Sequence, residues 1–251
     1  MSEDNLKLWE SVSKTDPSAT KNANVGGRDQ TSINGYWMIK QATDKFGLLG
    51  IGWGYEVLEE RWDNGALIAV KVTNEENRLE QSKTHTIKIK LWYVIDGKKG
   101  EVIQYGHTPA IYRSKYGVSD DGEAPKKSLM DAIKKSLSML GFSADIFTGM
   151  FEDENYVNQL KIESEIEKAE DKDIMIKEKR EEITAYIEDY LKRINESKSE
   201  IEVNGFAKIA LRHLEGRKKI TDIADICDKG LKAIALAGQT KKQELKNDST
   251  T

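Results

Sequence analysis

The sequence predicts an α+β fold in which a curved antiparallel β-meander packs on a long helix and is followed by a helical C-terminal region. Three stretches predict it. In "THTIKIKLWYVI" (84–95), Thr86, Lys88 and Lys90 alternate with Ile87, Ile89 and Leu91, the period of a sheet with one wet face. In "PKKSLMDAIKKSLSMLG" (125–141), Leu129, Ile133, Leu137 and Leu140 gather within roughly 80° at about 100° per residue, giving a helix with one apolar stripe. Beyond Phe151 the strand-like runs give way to charged stretches with apolar residues at helical spacing.

Taken in order, residues 1–30 are polar and turn-rich, and "TDPSATKNANVGGRDQTS" sustains no period, so an arm or loop is expected there. Asn34 is a good N-cap. Tyr36, Ile39, Thr43 and Phe46 follow at spacings of three and four, and Gly47 stands where that helix should stop. Gly47, Gly50, Gly52 and Gly54 then crowd around Trp53. A phosphate cradle must follow a strand and open a helix. Here the order is reversed, so these glycines are expected to cap the helix and admit a close backbone. Strands are expected over 51–62, 66–73, 84–95 and 101–107, with turns at "DNG" (63–65) and "DGKKG" (96–100). A loop, "YRSKYGVSDDGEA", leads to the second helix, which Pro125 opens and Gly141 closes.

Charged residues make up 33% of the 251, and no run approaches the roughly 20 apolar residues of a membrane span. "MSEDNLKLWE" lacks a basic start and an apolar run, so the chain is expected in the cytoplasm. Cys227 cannot pair within the chain, and its spacing with Ile223 and Leu231 marks it as a small buried hydrophobe. Net charge is −4, so any nucleic acid must be met by a local patch. Residues 1–160 carry 20 basic and 23 acidic groups, 161–202 carry 9 and 14, and 203–251 carry 10 and 6. The expected domains are therefore 1–158, a charged helical spacer over 159–200, a small helical module over 201–240 and a disordered tail over 241–251. In the spacer Ile183, Ile187, Tyr190 and Ile194 form one stripe. In the module Phe206, Ile209, Ile220, Ile223 and Ile234 are the expected core of two helices joined at "EGRKK".

Catalytic constellations are absent from the pattern. His85, His107 and His213 lack metal-ligand spacing, and Asp120 and Asp121 stand in a loop with no carboxylate-plus-lysine motif to complete a magnesium site. No cofactor, metal or catalytic residue is expected. Trp53, Tyr55, Trp92 and Tyr93 divide, by strand alternation, between core and candidate base-stacking platforms.

The order "INGYWMIKQATDKFG", a glycine-tryptophan strand start, "LWYVIDGKKGEVIQYGH", "KKSLMDAIKKSLSMLGFSADIF" and "EDENYV" over residues 25–157 resembles the Rad fifty-two superfamily of single-strand annealing proteins, and within it the phage recombinases. The resemblance implies a curved sheet on the long helix, assembly into rings or filaments, and a basic groove for single-stranded DNA. The cytoplasm would then be that of a bacterial host. The family's basic pair on the long helix falls on Lys134 and Lys135. Its next basic residue falls on Ser138, and an aromatic before the first helix falls near Ser32; both are departures, with Arg28 the substitute at the second. Lys127 lies on the same helix face as the pair. Lys88 and Lys90 on the wet strand face, with Arg113 and Lys115 in the loop, extend the candidate track. Annealing needs phosphates held and base edges left free, which lysines do without reading sequence. The C-terminal region is the candidate recruiter of an exonuclease or single-strand-binding protein, with a packing arm as the alternative. Two other classes stay open: an oligomeric interaction protein that never touches DNA, and a metal-dependent nucleic-acid-processing enzyme.

Overall fold

The computed structural model describes the backbone of residues 3–25, 28–70, 78–114 and 116–248. It forms two compact units, Met1–Thr15 with Ala19–Thr148, and Asp16–Ser18 with Gly149–Thr251. The expected α+β class is observed. The first unit contains α1 (Lys7–Val12), β1 (Thr20–Val25), β2 (Arg28–Ile33), α2 (Gly35–Phe46), β3 (Trp53–Val70), β4 (Arg78–Ile95), β5 (Lys98–Ser114), β6 (Gly117–Asp120), α3 (Ala124–Ser138) and α4 (Ala144–Phe147). β3, β4, β5 and β6 form one antiparallel, curled sheet in sequence order, and β1 and β2 form a separate hairpin.

α2 begins as expected, with Asn34 Oδ1 accepting from the Tyr36 N–H at 2.9 Å. Gly47 ends it at φ 94°, a conformation that a side chain would strain. Gly52 is needed for a different reason, since a Cβ there would lie 1.7 Å from the Phe46 carbonyl oxygen. The glycine cluster therefore stops a helix and lets the chain pass close behind it. Alternation in β4 sends Ile87, Ile89 and Leu91 into the core with Met38, Phe46, Trp53, Ile133 and Leu137. Against them lies α3, whose Ser128, Ala132 and Ser136 form a buried stripe of small residues. The stripe meets β5 at Gly106, where a Cβ would lie 2.0 Å from the Ser128 carbonyl oxygen and 2.6 Å from the Ala132 nitrogen. Ser128 Oγ also donates to the His85 carbonyl at 3.1 Å.

Several expectations are corrected. Residues 7–25 and 28–33 are built into the unit rather than forming an arm or loop: Thr15 donates through N and Oγ1 to the buried Asp145 carboxylate at 2.7 and 2.6 Å, and β1 pairs with β2. "DNG" is not a hairpin turn. β3 runs straight through it with a bulge, because the register shifts between Asn64 and Leu67 while both flanks stay paired to β4. The last positions of the expected 66–73 strand, 71–73, lie outside the described residues. β5 extends beyond 107 to Ser114, and much of the expected loop is the β6 hairpin, with Arg113 opposite Val118. The turn at Asp96 and Gly97 is as expected, with both residues at positive φ.

The second unit is a helical bundle of α5 (Glu154–Lys168), α6 (Lys172–Glu196), α7 (Glu200–Arg217) and α8 (Ala224–Asp248). Its first residues precede the expected boundary at 158, and the expected spacer and module share one core. Ile166, Ile183, Ile187 and Ile194 are buried together with Val203, Leu214, Ile220, Ile223, Cys227 and Ile234. Ile209, expected inside, is 53% exposed, and α8 continues as helix to Asp248 where a disordered tail is expected. Cys227 is buried, and burial pushes its thiol up to about 11.

Gly106→Val should lower stability by about 1–3 kcal/mol through forced separation of α3 from β5, whereas Gly122→Ala, with open space around it, should stay within about 0.5 kcal/mol in chemical denaturation. A second test uses His213, whose ring stacks on Tyr186 at 4.0 Å. Burial, then the Arg217 charge, pushes it from 6.5 down to about 4. The unfolded chain therefore binds the extra proton in that window, so stability is full above about pH 6.5 and falls as pH drops toward 4. Melting curves of His213→Phe, which keeps the stack, should show a weaker loss across the same window.

Candidate nucleic-acid interface

Burying Ile133 and Leu137 carries Lys134 and Lys135 away from the deepest core, and the two end in different states. Lys135 Nζ lies 2.9 Å from the Asp131 carboxylate one turn earlier. Lys134 is half-buried. Burial pushes its ammonium below the usual lysine range; Asp131 opposes this, and the charges of Lys21 and Lys135 add to it. Lys21 stands on β1, exposed, opposite Ser32. Lys134 is thus under the charges of Lys21 and Lys135, opposed by that of Asp131. Among the described residues neither Lys134 nor Lys21 has a carboxylate within ion-pair distance. Such a cluster costs free energy until an anion answers it.

Lys21 was not among the residues singled out by the sequence, because residues 1–30 read as irregular. The one sign available was the glycine pair in "NVGGRD", a common two-residue hairpin connection. Arg28 opens β2 opposite Val25, but its side chain lies outside the described residues, as does Lys115. Arg113 is exposed on β5, in the short ladder with β6.

The remaining candidates are engaged elsewhere. Lys127 Nζ lies 2.5 Å from Asp121, whose hydrogen bond raises the lysine and lowers the carboxylate. Asp121 also accepts from the Glu123 N–H at 3.1 Å, so it fastens the start of α3. On the sheet face turned from α3, Lys90 lies 2.9 Å from Glu56 and 4.0 Å from Glu101. Lys99 lies 3.0 Å from Glu101, and Arg61 bridges Glu59 and Asp63. Lys88 Nζ sits 5.3 Å from the Tyr105 ring centroid and opposite Glu59 in the ladder. This face answers its own charges. It does not bring Lys88 and Lys90 together with Lys134.

Of the aromatics, Trp53 is wholly buried and its Nε1–H donates to Thr43 Oγ1 at 3.3 Å, and Tyr93 stacks on Phe46 at 5.0 Å. Trp92 lies over Gly54 on the outer face, with Lys99 Nζ at 5.8 Å, and Tyr55 is 37% exposed. His85 is buried with Nε2 3.0 Å from Glu60, while His107 is exposed and its backbone N–H donates to Asp131 at 3.3 Å. The three histidines do not converge, and no group of metal-ligating side chains occurs among the described residues. Nor does any described helix have the length and apolarity to cross a membrane.

No family model matches the chain, and no characterised protein sequence matches it.

If Lys21 and Lys134 repel one another, Lys21→Ala should raise the titration midpoint of Lys134 toward the ordinary lysine value. Carbon-detected NMR of side-chain-labelled lysines reads this directly. An unchanged Lys134 midpoint would place Lys21 outside the cluster.

Proposed function

We propose that the protein binds single-stranded DNA through its backbone phosphates and anneals complementary strands as a homo-oligomer, without nucleotide hydrolysis. The observation that carries this reading is Lys134, half-buried on α3 without a carboxylate within ion-pair distance among the described residues, and under the charges of Lys21 and Lys135. Phosphate is the anion that a row of lysines without a base-reading geometry would hold, and counterion release would supply much of the affinity. Repetition of the cluster around an oligomer would grip a long strand while its bases sample partners. Strand annealing is also the activity implied by the resemblance over residues 25–157. In the same reading, the C-terminal bundle, with its own core, recruits an exonuclease or a single-strand-binding protein.

A second reading has its own support. The charge-neutral outer face of the sheet and the exposed apolar residues of β3 suit an oligomeric interaction protein that does not touch DNA.

Binding of a short oligothymidine at several salt concentrations separates the two. Lys134→Ala and Lys21→Ala should each weaken binding and flatten the plot of log affinity against log salt by about 0.7. Lys88→Ala and Lys90→Ala should leave that slope unchanged. Lys135→Ala should have a smaller effect than Lys134→Ala, because Asp131 already holds the Lys135 ammonium. No measurable binding by the folded wild-type chain would favour the interaction protein.

A further inference from the structure

The two edges of the sheet are built differently. The edge formed by β5 and β6 is guarded: β6 has only four residues, Pro109 has no N–H to offer, and the His107 N–H is taken by Asp131 at 3.3 Å. β3 has no such guard. It is 18 residues long, contains no proline and, among the described residues, has β4 as its one ladder partner, with Trp53 at its start also bridged to Leu49. Val57, Leu58, Trp62 and Leu67 along it are 46–61% exposed. Its carboxylates are each engaged within the chain, Glu56 by Lys90, Glu59 and Asp63 by Arg61, and Glu60 by a hydrogen bond with the His85 ring. An open edge of this length with exposed apolar side chains invites another strand.

The sequence of β3 specifies which strand, because it is self-complementary about Trp62. Laid antiparallel against a second β3 with the two Trp62 residues opposite, Arg61 faces Asp63 of the partner subunit, twice, on the face turned from α3. Glu60 faces Asn64 of the partner subunit, and Val57 faces the partner's Leu67. Faces agree as well as chemistry: Val57 pairs with Ile89 and Leu67 with Gln81, positions of β4 an even number apart, so both lie on the same side of the sheet. The bulges coincide too. Each departs from the β4 register by one residue, the first at Leu58 and the second within Gly65 and Ala66, so that Leu58 meets Ala66 of the partner subunit. A bulge normally spoils pairing with a regular strand, and here each meets another bulge.

We propose that two copies of this chain join β3 to β3, antiparallel, about a two-fold axis at Trp62, from Val57 to Leu67, extending one sheet into the other. This rests on the self-association in the proposed function and specifies one of its contacts, the one that closes a pair of copies. The geometry is isologous, so each residue pair occurs twice.

The test uses the full chain. Opposite residues in an antiparallel pair lie within disulfide reach, so Trp62→Cys, at the axis, should give a covalent dimer under a mild thiol oxidant. Glu59→Cys should not, since its copy would sit six residues away, about 20 Å. Cys227 is buried and stays out of the reaction. Arg61→Asp alone should weaken association roughly tenfold by setting acids against Asp63 of the partner subunit, and Arg61→Asp with Asp63→Arg should restore it, with thermal melts confirming folding throughout. An oligomer seen by light scattering that neither cross-links at Trp62→Cys nor responds to the charge reversal would overturn the β3 contact and leave self-association standing. A monomer at micromolar concentration that still binds DNA would overturn the contact and self-association together, and spare the lysine cluster.

Discussion

The close approach of α3 to β5 at Gly106 is the contact on which the first unit depends. A helix bearing ordinary side chains would sit farther from the sheet, but here Ser128 and Ala132 rest almost on the strand backbone. That proximity lets Ile133 and Leu137 reach Ile87, Ile89 and Leu91, and so fixes the rotation of α3 about its axis. With the apolar stripe pinned inward, Lys134 and Lys135 have no freedom to follow it. The half-buried state of Lys134 is a consequence of that packing, and burial holds its ammonium below the usual lysine range. The same helix supplies Asp131, which steadies Lys135 and covers the His107 N–H. One contact therefore sets the lysines and guards a sheet edge.

The two faces of the sheet then differ in kind. On the outer face, cross-strand register sets Arg61, Lys90 and Lys99 among Glu56, Glu59, Asp63 and Glu101, and ion pairs of this exposed sort add little stability while cancelling the local field. On α3, Lys126, Lys127 and Lys135 are each paired with a carboxylate, and Lys134 is the lysine of that helix left without one among the described residues. In the proposed reading the face bearing Lys134 is the one offered to phosphate, and β3 is the sheet edge beside it.

Features governed by neighbours in sequence were legible in advance. The Asn34 cap, the Gly47 stop, the turn at Asp96 and Gly97 and the inward alternation of Ile87, Ile89 and Leu91 each arise within a few residues, and the structure has all of them. What failed was whatever depends on distant partners. "DNG" has the chemistry of a hairpin turn and of a bulge alike, and only the pairing of both flanks with β4 decides between them. Lys90 looks like a free cation in "IKIKL" until the register brings Glu56 and Glu101 to it. Lys21 lay in a stretch without period because β1 and β2 gain their stability from each other. The charged helical spacer expected over 159–200 shares a core with the module beyond it, because its stripe of Ile183, Ile187 and Ile194 is buried only with α7 and α8 beside it.

The central claim is that phosphate is held by the lysines on the α3 side and not by those on the outer sheet face. Acetylation of lysines in the intact protein, with and without a saturating oligothymidine and read by mass spectrometry, tests it residue by residue. The account predicts protection of Lys21, Lys134 and Lys135, with Lys88, Lys90 and Lys99 modified equally in both samples. Protection of the outer-face lysines with Lys21 and Lys134 unaffected would contradict it.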